Sequence, residues 1–203
     1  TNLHEALTAA EQALTKYEAT QQQSVFMLPG ICNVAEVLFT MYAEAIHSAS
    51  DASIKQELHT ACVRIIKVAD AYAKVFVIGI PRVLFYKGLL NYLHTGRLHK
   101  TNKLWSKMQQ SAEMLKWPYE HAYLRVEMTV YLPRSQEVLK HLDFAMECFE
   151  SLEADYDFAR AARLHSEISW SLEIGNLGRG DGGGNKPAET AQLTIPQLQN
   201  YAL

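Results

Sequence analysis

Residues in the second half of this chain recur at a single offset. Tyr92-Leu93 returns as Tyr131-Leu132, Trp105 as Phe144, Ala122 as Ala161 and Tyr119 as Phe158, each 39 residues further on. A period of that size belongs to repeat architectures, in which one unit cannot bury its apolar face alone and must stack on a neighbour. Each unit reads as helix, short turn, helix. The first runs from Arg82 to His94, turns at Thr95-Gly96-Arg97 and continues from Lys100 to Lys116. The second runs from Tyr119 to Leu132, turns at Pro133-Arg134 and continues from Ser135 to Ala154, with a last helix from Asp157 to Ser171.

The spacing of apolar residues supports helices throughout. Leu104, Trp105, Met108, Ala112 and Leu115 form one stripe, and Leu139, Leu142, Ala145, Met146, Phe149 and Leu152 form another, with Lys100, Lys103 and Lys107 on a different side. Gly88, Ala112, Ala122 and Ala161 are small enough to let helices approach closely. Upstream, Asn2 is placed to cap a helix through Leu3, Leu7, Ala10 and Leu14 that ends near Gln21 to Gln23. A second spans Ser24 to Ala49, with Pro29 tolerated in its first turn, and a third starts after Ser50 and Asp51 and runs to Val75. The β-branched segment Val75 to Pro81 has no partner strand nearby, so it is expected to be a turn that buries its own apolar residues. The expected fold is all-α: an α-solenoid of stacked antiparallel helix pairs, tetratricopeptide-like, with a period slightly above that family's usual ~34 residues.

Glycine marks the end of this body. Of ten glycines in 203 residues, six fall between Gly175 and Gly184. The expected organisation is a helical-repeat domain over 1–174, a flexible Gly-rich linker over 175–192 and a short C-terminal segment over 193–203. That segment, with Leu193, Ile195, Leu198, Tyr201 and Leu203, is apolar enough to dock on a solenoid or a neighbouring domain. The start at Thr1, already inside a helical pattern, reads as an excerpt from a larger polypeptide.

The net charge of −3, with no run of like charge, argues against a general nucleic-acid or membrane-surface binder. Val75 to Ile80, the longest apolar run, is too short to span a bilayer. Cys32, Cys62 and Cys148 form no C-x-x-C pair and fit a reducing compartment better than a secreted disulfide framework.

Motifs for chemistry are scarce. The eight histidines form no H-E-x-x-H and no His/Cys cluster with zinc spacing; His94 and His99 flank a turn, and His121 and His165 are read as surface residues. Glu147, Glu150, Glu153, Asp155 and Asp157 lack the order of a calcium loop, and ion pairing with Arg160 and Arg163 across the turn is the expected use. Gly178 to Gly183 spells G-x-G-x-x-G, but a helix precedes it and Pro187 follows, so it reads as linker rather than dinucleotide site. No catalytic, cofactor-binding or metal-binding residue is assigned. The best functional lead is a set of aromatics at inter-helix turns, Trp117, Tyr119 and Tyr156, which either staple helices together or contact a partner.

Several stretches carry a resemblance: Val75 to Pro81, Tyr86-Lys-Gly88-Leu-Leu, Tyr92-Leu-His-Thr-Gly96-Arg97, Leu104-Trp105, Trp117-Pro118-Tyr119-Glu120 and Asp155 to Ala161. Over roughly residues 60–165 the chain resembles the helical-repeat C-terminal region of soluble-type class III adenylate cyclases. That resemblance implies a parent that makes cyclic AMP from ATP with Mg in cyclase domains outside this chain, and a cytoplasmic setting that includes the cilium or flagellum. No catalytic or nucleotide-binding position carries over. The role it implies here is non-catalytic scaffolding, with protein partners or other domains of the same polypeptide as ligands. The alternative is a stand-alone tetratricopeptide-like adaptor that binds a protein or peptide.

Overall fold

The computed structural model of the chain describes residues 3–20, 24–48 and 50–177. Those residues form eight α-helices and one 3-10 turn, with no strand among them. The chain is all-α. It divides into two compact units, Thr1–Leu115 and Lys116–Leu203. The Asn2 cap, the linker glycines after Leu177 and the segment over 193–203 lie outside the described residues.

The first unit holds α1 (Leu3–Ala19), α2 (Met27–His47), α3 (Ala52–Val75), α4 (Ile80–Thr95) and α5 (Leu98–Met114). Asp51 starts α3 by accepting from the Ser53 backbone N–H at 3.1 Å, and Pro81 sits in the first turn of α4, where a missing N–H is harmless. Gly96 ends α4 with φ +66, a left-handed conformation that a Cβ would penalise. Consecutive helices pack against one another, and α2 also touches α4. Their core is aromatic: Phe39 stacks on Tyr86 at 5.5 Å and Phe85 on Trp105 at 6.1 Å, all four buried. The buried hydroxyl and indole N–H are satisfied, Tyr86 donating to the Cys32 carbonyl at 3.4 Å and Trp105 to the Phe85 carbonyl at 3.2 Å.

The turn between α3 and α4 differs from expectation. Val75 and Val77 are 62% and 55% exposed. The turn approaches the core through Gly79, where a Cβ would lie 2.7 Å from Tyr72 Cδ1, and through buried Pro81. That close approach leaves the two valines outside.

The second unit holds α6 (Pro118–Tyr131), α7 (Gln136–Ser151) and α8 (Asp155–Leu177). Ser135 caps α7 through a hydrogen bond from the Val138 N–H. α7 packs on both α6 and α8 around Ala122, Val126, Leu142, Ala145, Phe149, Ala161, Leu164 and Ile168. α8 continues past Ser171 to Leu177, three residues into the stretch expected as linker; a single Gly175 in a helical pattern is tolerated.

The helices refine the repeat. α4, α6 and α8 begin at Ile80, Pro118 and Asp155, spaced 38 and 37 residues apart. The buried stripe Trp105, Met108, Ala112 of α5 returns 37 residues later in α7 as Leu142, Ala145, Phe149. At the 39-residue offset Ala122 and Ala161 share full burial, whereas Trp105 is fully buried and its counterpart Phe144 is half-buried.

Candidate functional site

Two of the three expected aromatics are brought to one end of the second unit. Pro118 bars Trp117 from helical backbone, so Trp117 takes the position before α6 and its carbonyl accepts from the His121 N–H at 3.0 Å. Tyr119, in the first turn of α6, has its ring 5.8 Å from Phe149 of α7 and donates its hydroxyl hydrogen bond to Asp157 Oδ2 of α8 at 3.0 Å. Tyr119 thus ties three helices together. Tyr156, in the first turn of α8 beside Asp157, stays 61% exposed. Trp117 is half-buried, two residues ahead of Tyr119.

The α7–α8 turn adds to this end. The Ala154 N–H donates to the Phe149 carbonyl at 2.9 Å and the Glu153 N–H to the Glu150 carbonyl at 3.1 Å, the paired bonds that close a helix through one left-handed residue. Glycine is the usual occupant of that position. Here it is Glu153, with φ +55. Leu152, expected to extend the buried stripe of α7, instead caps the helix end and is 42% exposed, because α7 stops at Ser151.

Of the two arginines expected to pair across this turn, Arg160 makes its ion pair with Glu127 of α6 at 2.6 Å, and the Asp157 carboxylate also favours its charged form, while Glu147, Glu150, Glu153 and Asp155 are exposed. Both partners of that pair are largely buried, and the guanidinium also lies 5.9 Å over the Tyr123 ring. The Arg160 Nε, buried, has no hydrogen-bond partner.

A second polar layer in this unit gave no signal in the sequence. His121, expected at the surface, is buried, with its ring 4.8 Å from Phe144. Arg125 donates from Nε to His121 Nε2 at 3.1 Å, approaches His141 Nδ1 at 3.4 Å and places its guanidinium 4.0 Å over the Phe144 ring. Burial, and then the Arg125 cation, hold the His141 imidazole below its ordinary pKa. His165 is half-exposed and faces Asp143 at 3.2 Å.

The first unit offers weaker candidates. Tyr17, Met27, Ile31, Lys67, Val68 and Tyr72 line part of a cleft of about 330 Å³ whose rim includes Glu18. Glu18 is committed to Arg64 through two hydrogen bonds of 3.0 and 2.7 Å, which hold its carboxyl below the usual range. The rings of His59 and His94 face each other at 4.7 Å, and burial followed by the His94 charge holds the His59 pKa down. Cys62 is fully buried and its thiol is pushed up, which removes thiolate reactivity. Among the described residues no three His, Cys, Asp or Glu side chains are grouped to hold a metal ion.

Neither a family model, a curated protein nor a solved structure matches the chain. Among the described residues no helix is long and apolar enough to cross a membrane. One end of the second unit carries Leu152, Tyr119 and Tyr156 beside the carboxylates of the α7–α8 turn.

Proposed function

We propose that this chain is a non-catalytic helical scaffold that docks a protein partner through the aromatic end of its second unit. The observation that carries the reading is the contrast between two tyrosines: Tyr119 is fixed between three helices, while Tyr156 beside it is 61% exposed. A rigid support next to an exposed aromatic is the composition of a contact residue at an interface, where Tyr supplies area at low entropic cost. In this reading α4 to α8 belong to an α-solenoid of the tetratricopeptide kind. The 38- and 37-residue spacing of helix starts and the packing of α4 on α5, α6 on α7 and α7 on α8 support it.

On the resemblance over residues 60–165 we further propose that the scaffold is a cytoplasmic or ciliary regulatory region of a soluble-type adenylate cyclase whose other domains use ATP and Mg. Sequencing the gene upstream of the Thr1 codon tests this parentage. A cyclase catalytic domain there supports the assignment. Its absence removes the family while leaving the docking role, which then belongs to a stand-alone adaptor.

A further inference from the structure

One side of α8 is apolar and faces no other helix among the described residues. α8 packs on α7 through Ala161, Leu164 and Ile168, with Leu172 partly buried beside them. Trp170 and Ile174 each stand two residues further along, about 200° around the helix, and are 65% and 51% exposed. Four residues apart, they lie one above the other on the outer side. That side of a helix is ordinarily polar. Of the three tryptophans, Trp105 is buried, Trp117 is half-buried and Trp170 alone is exposed.

The order of helices shows what kind of element would cover it. α4 is packed by α5 and α6 by α7, whereas α8, which starts 37 residues after α6, is followed by no helix among the described residues. The end unit of a stack of helix pairs needs a cap over its apolar outer surface.

Residues 193–203 have the composition of such a cap. The segment holds Leu193, Ile195, Leu198, Tyr201, Ala202 and Leu203 and no charged residue, and Ile195, Leu198 and Ala202 recur at the spacing of one helix face. Fifteen residues, 178–192, join it to the end of α8, and five of them are glycine. A Gly-rich tether of that length has a typical span of about 20 Å, while Ile174 and Trp170 lie only about 5 and 10 Å back from Leu177 along the helix axis. Tethering raises the local concentration of the segment to about the millimolar range, so a small apolar contact is enough to hold it. A second copy of the chain would have to reach that concentration in solution to compete.

We propose that residues 193–203 fold back on α8 and cover Trp170 and Ile174, with Ile195 and Leu198 as the covering side chains. The segment stands in for the helix that α5 and α7 supply to α4 and α6. Tyr156 lies fourteen residues before Trp170, about 21 Å away along α8, and stays uncovered, so this inference is independent of the docking reading.

The full chain labelled with 5-fluorotryptophan gives three fluorine resonances, and Trp170→Phe identifies the one from Trp170. The shift of each resonance between H2O and D2O reports how much of the ring meets solvent. The expected result is a Trp170 shift below that of half-buried Trp117 in the intact chain, rising above it when Ile195→Asp and Leu198→Asp are combined. Circular dichroism confirms that this variant keeps its helices. A Trp170 shift that is already the largest of the three in the intact chain overturns the proposal. So does a small shift that survives the two substitutions; if it then grows on dilution, the cover is a second copy.

Discussion

Gly88 of α4 lies against Trp105 of α5 so closely that a Cβ on Gly88 would stand 2.5 Å from the indole Nε1. The indole cannot retreat, because it is fully buried and its N–H is committed to the Phe85 carbonyl. In an exposed helix Gly→Ala gains up to about 1 kcal/mol, but here overpacking of about 1–3 kcal/mol outweighs the gain. Gly88→Ala is therefore expected to destabilise the first unit in urea denaturation. Trp105→Ala, which empties the same contact, should lose about 3–5 kcal/mol.

The buried pair Glu127–Arg160 makes an opposite kind of prediction. Removing one member leaves a charge without compensation, and such changes lose about 3–5 kcal/mol, whereas replacing both with apolar groups is near neutral. Glu127→Leu alone should strongly destabilise the second unit. Glu127→Leu with Arg160→Met should recover most of the loss, as chemical denaturation of the single and double variants would show.

Two histidines set a pH dependence. Unfolded, His59 and His141 titrate near 6.5; folded, burial and a neighbouring charge hold both lower. Below about pH 6.5 the unfolded chain therefore binds more protons than the folded one, and stability falls as pH falls through that window toward the folded values. Above it the contribution is constant. Unfolding free energy should drop between about pH 7.5 and pH 5.5, and the drop should be smaller in His141→Gln. NMR titration of the imidazoles checks that both folded values lie under the ordinary one.

Two helix ends with left-handed residues predict effects of opposite sign. Gly96→Ala puts a Cβ at φ +66 and should lose about 1 kcal/mol. Glu153→Gly relieves φ +55 at the end of α7 and should gain up to about 1 kcal/mol. Thermal melts of the two variants decide the matter.

Sequence pattern reveals helices well where one face is apolar and the ends carry recognisable caps. Asp51, Pro81, Gly96, Pro118 and Ser135 each mark a boundary within a residue or two of the structure, and the stripe through Trp105 and Met108 faces inward as its spacing demands. The pattern fails where polar groups satisfy one another across helices. α6 buries Glu120, His121, Leu124, Val126 and Thr129, a set that forms no single apolar stripe, so nothing local distinguishes His121 from a surface histidine. Arg160 likewise has acidic neighbours in sequence, yet its partner Glu127 lies 33 residues away on another helix. At the docking end, Tyr119 and Tyr156 were visible as turn aromatics, but their division into support and contact depends on the Asp157 hydrogen bond.

The docking role is tested most directly by photo-cross-linking in the native cell. A benzophenone amino acid is placed at Tyr156, or as a control at Lys103, which is also exposed but lies on the lysine side of α5. The predicted result is a discrete protein adduct from position 156 that is absent from position 103. Identical adducts from both positions, or none from position 156 in a folded and expressed protein, would contradict the account.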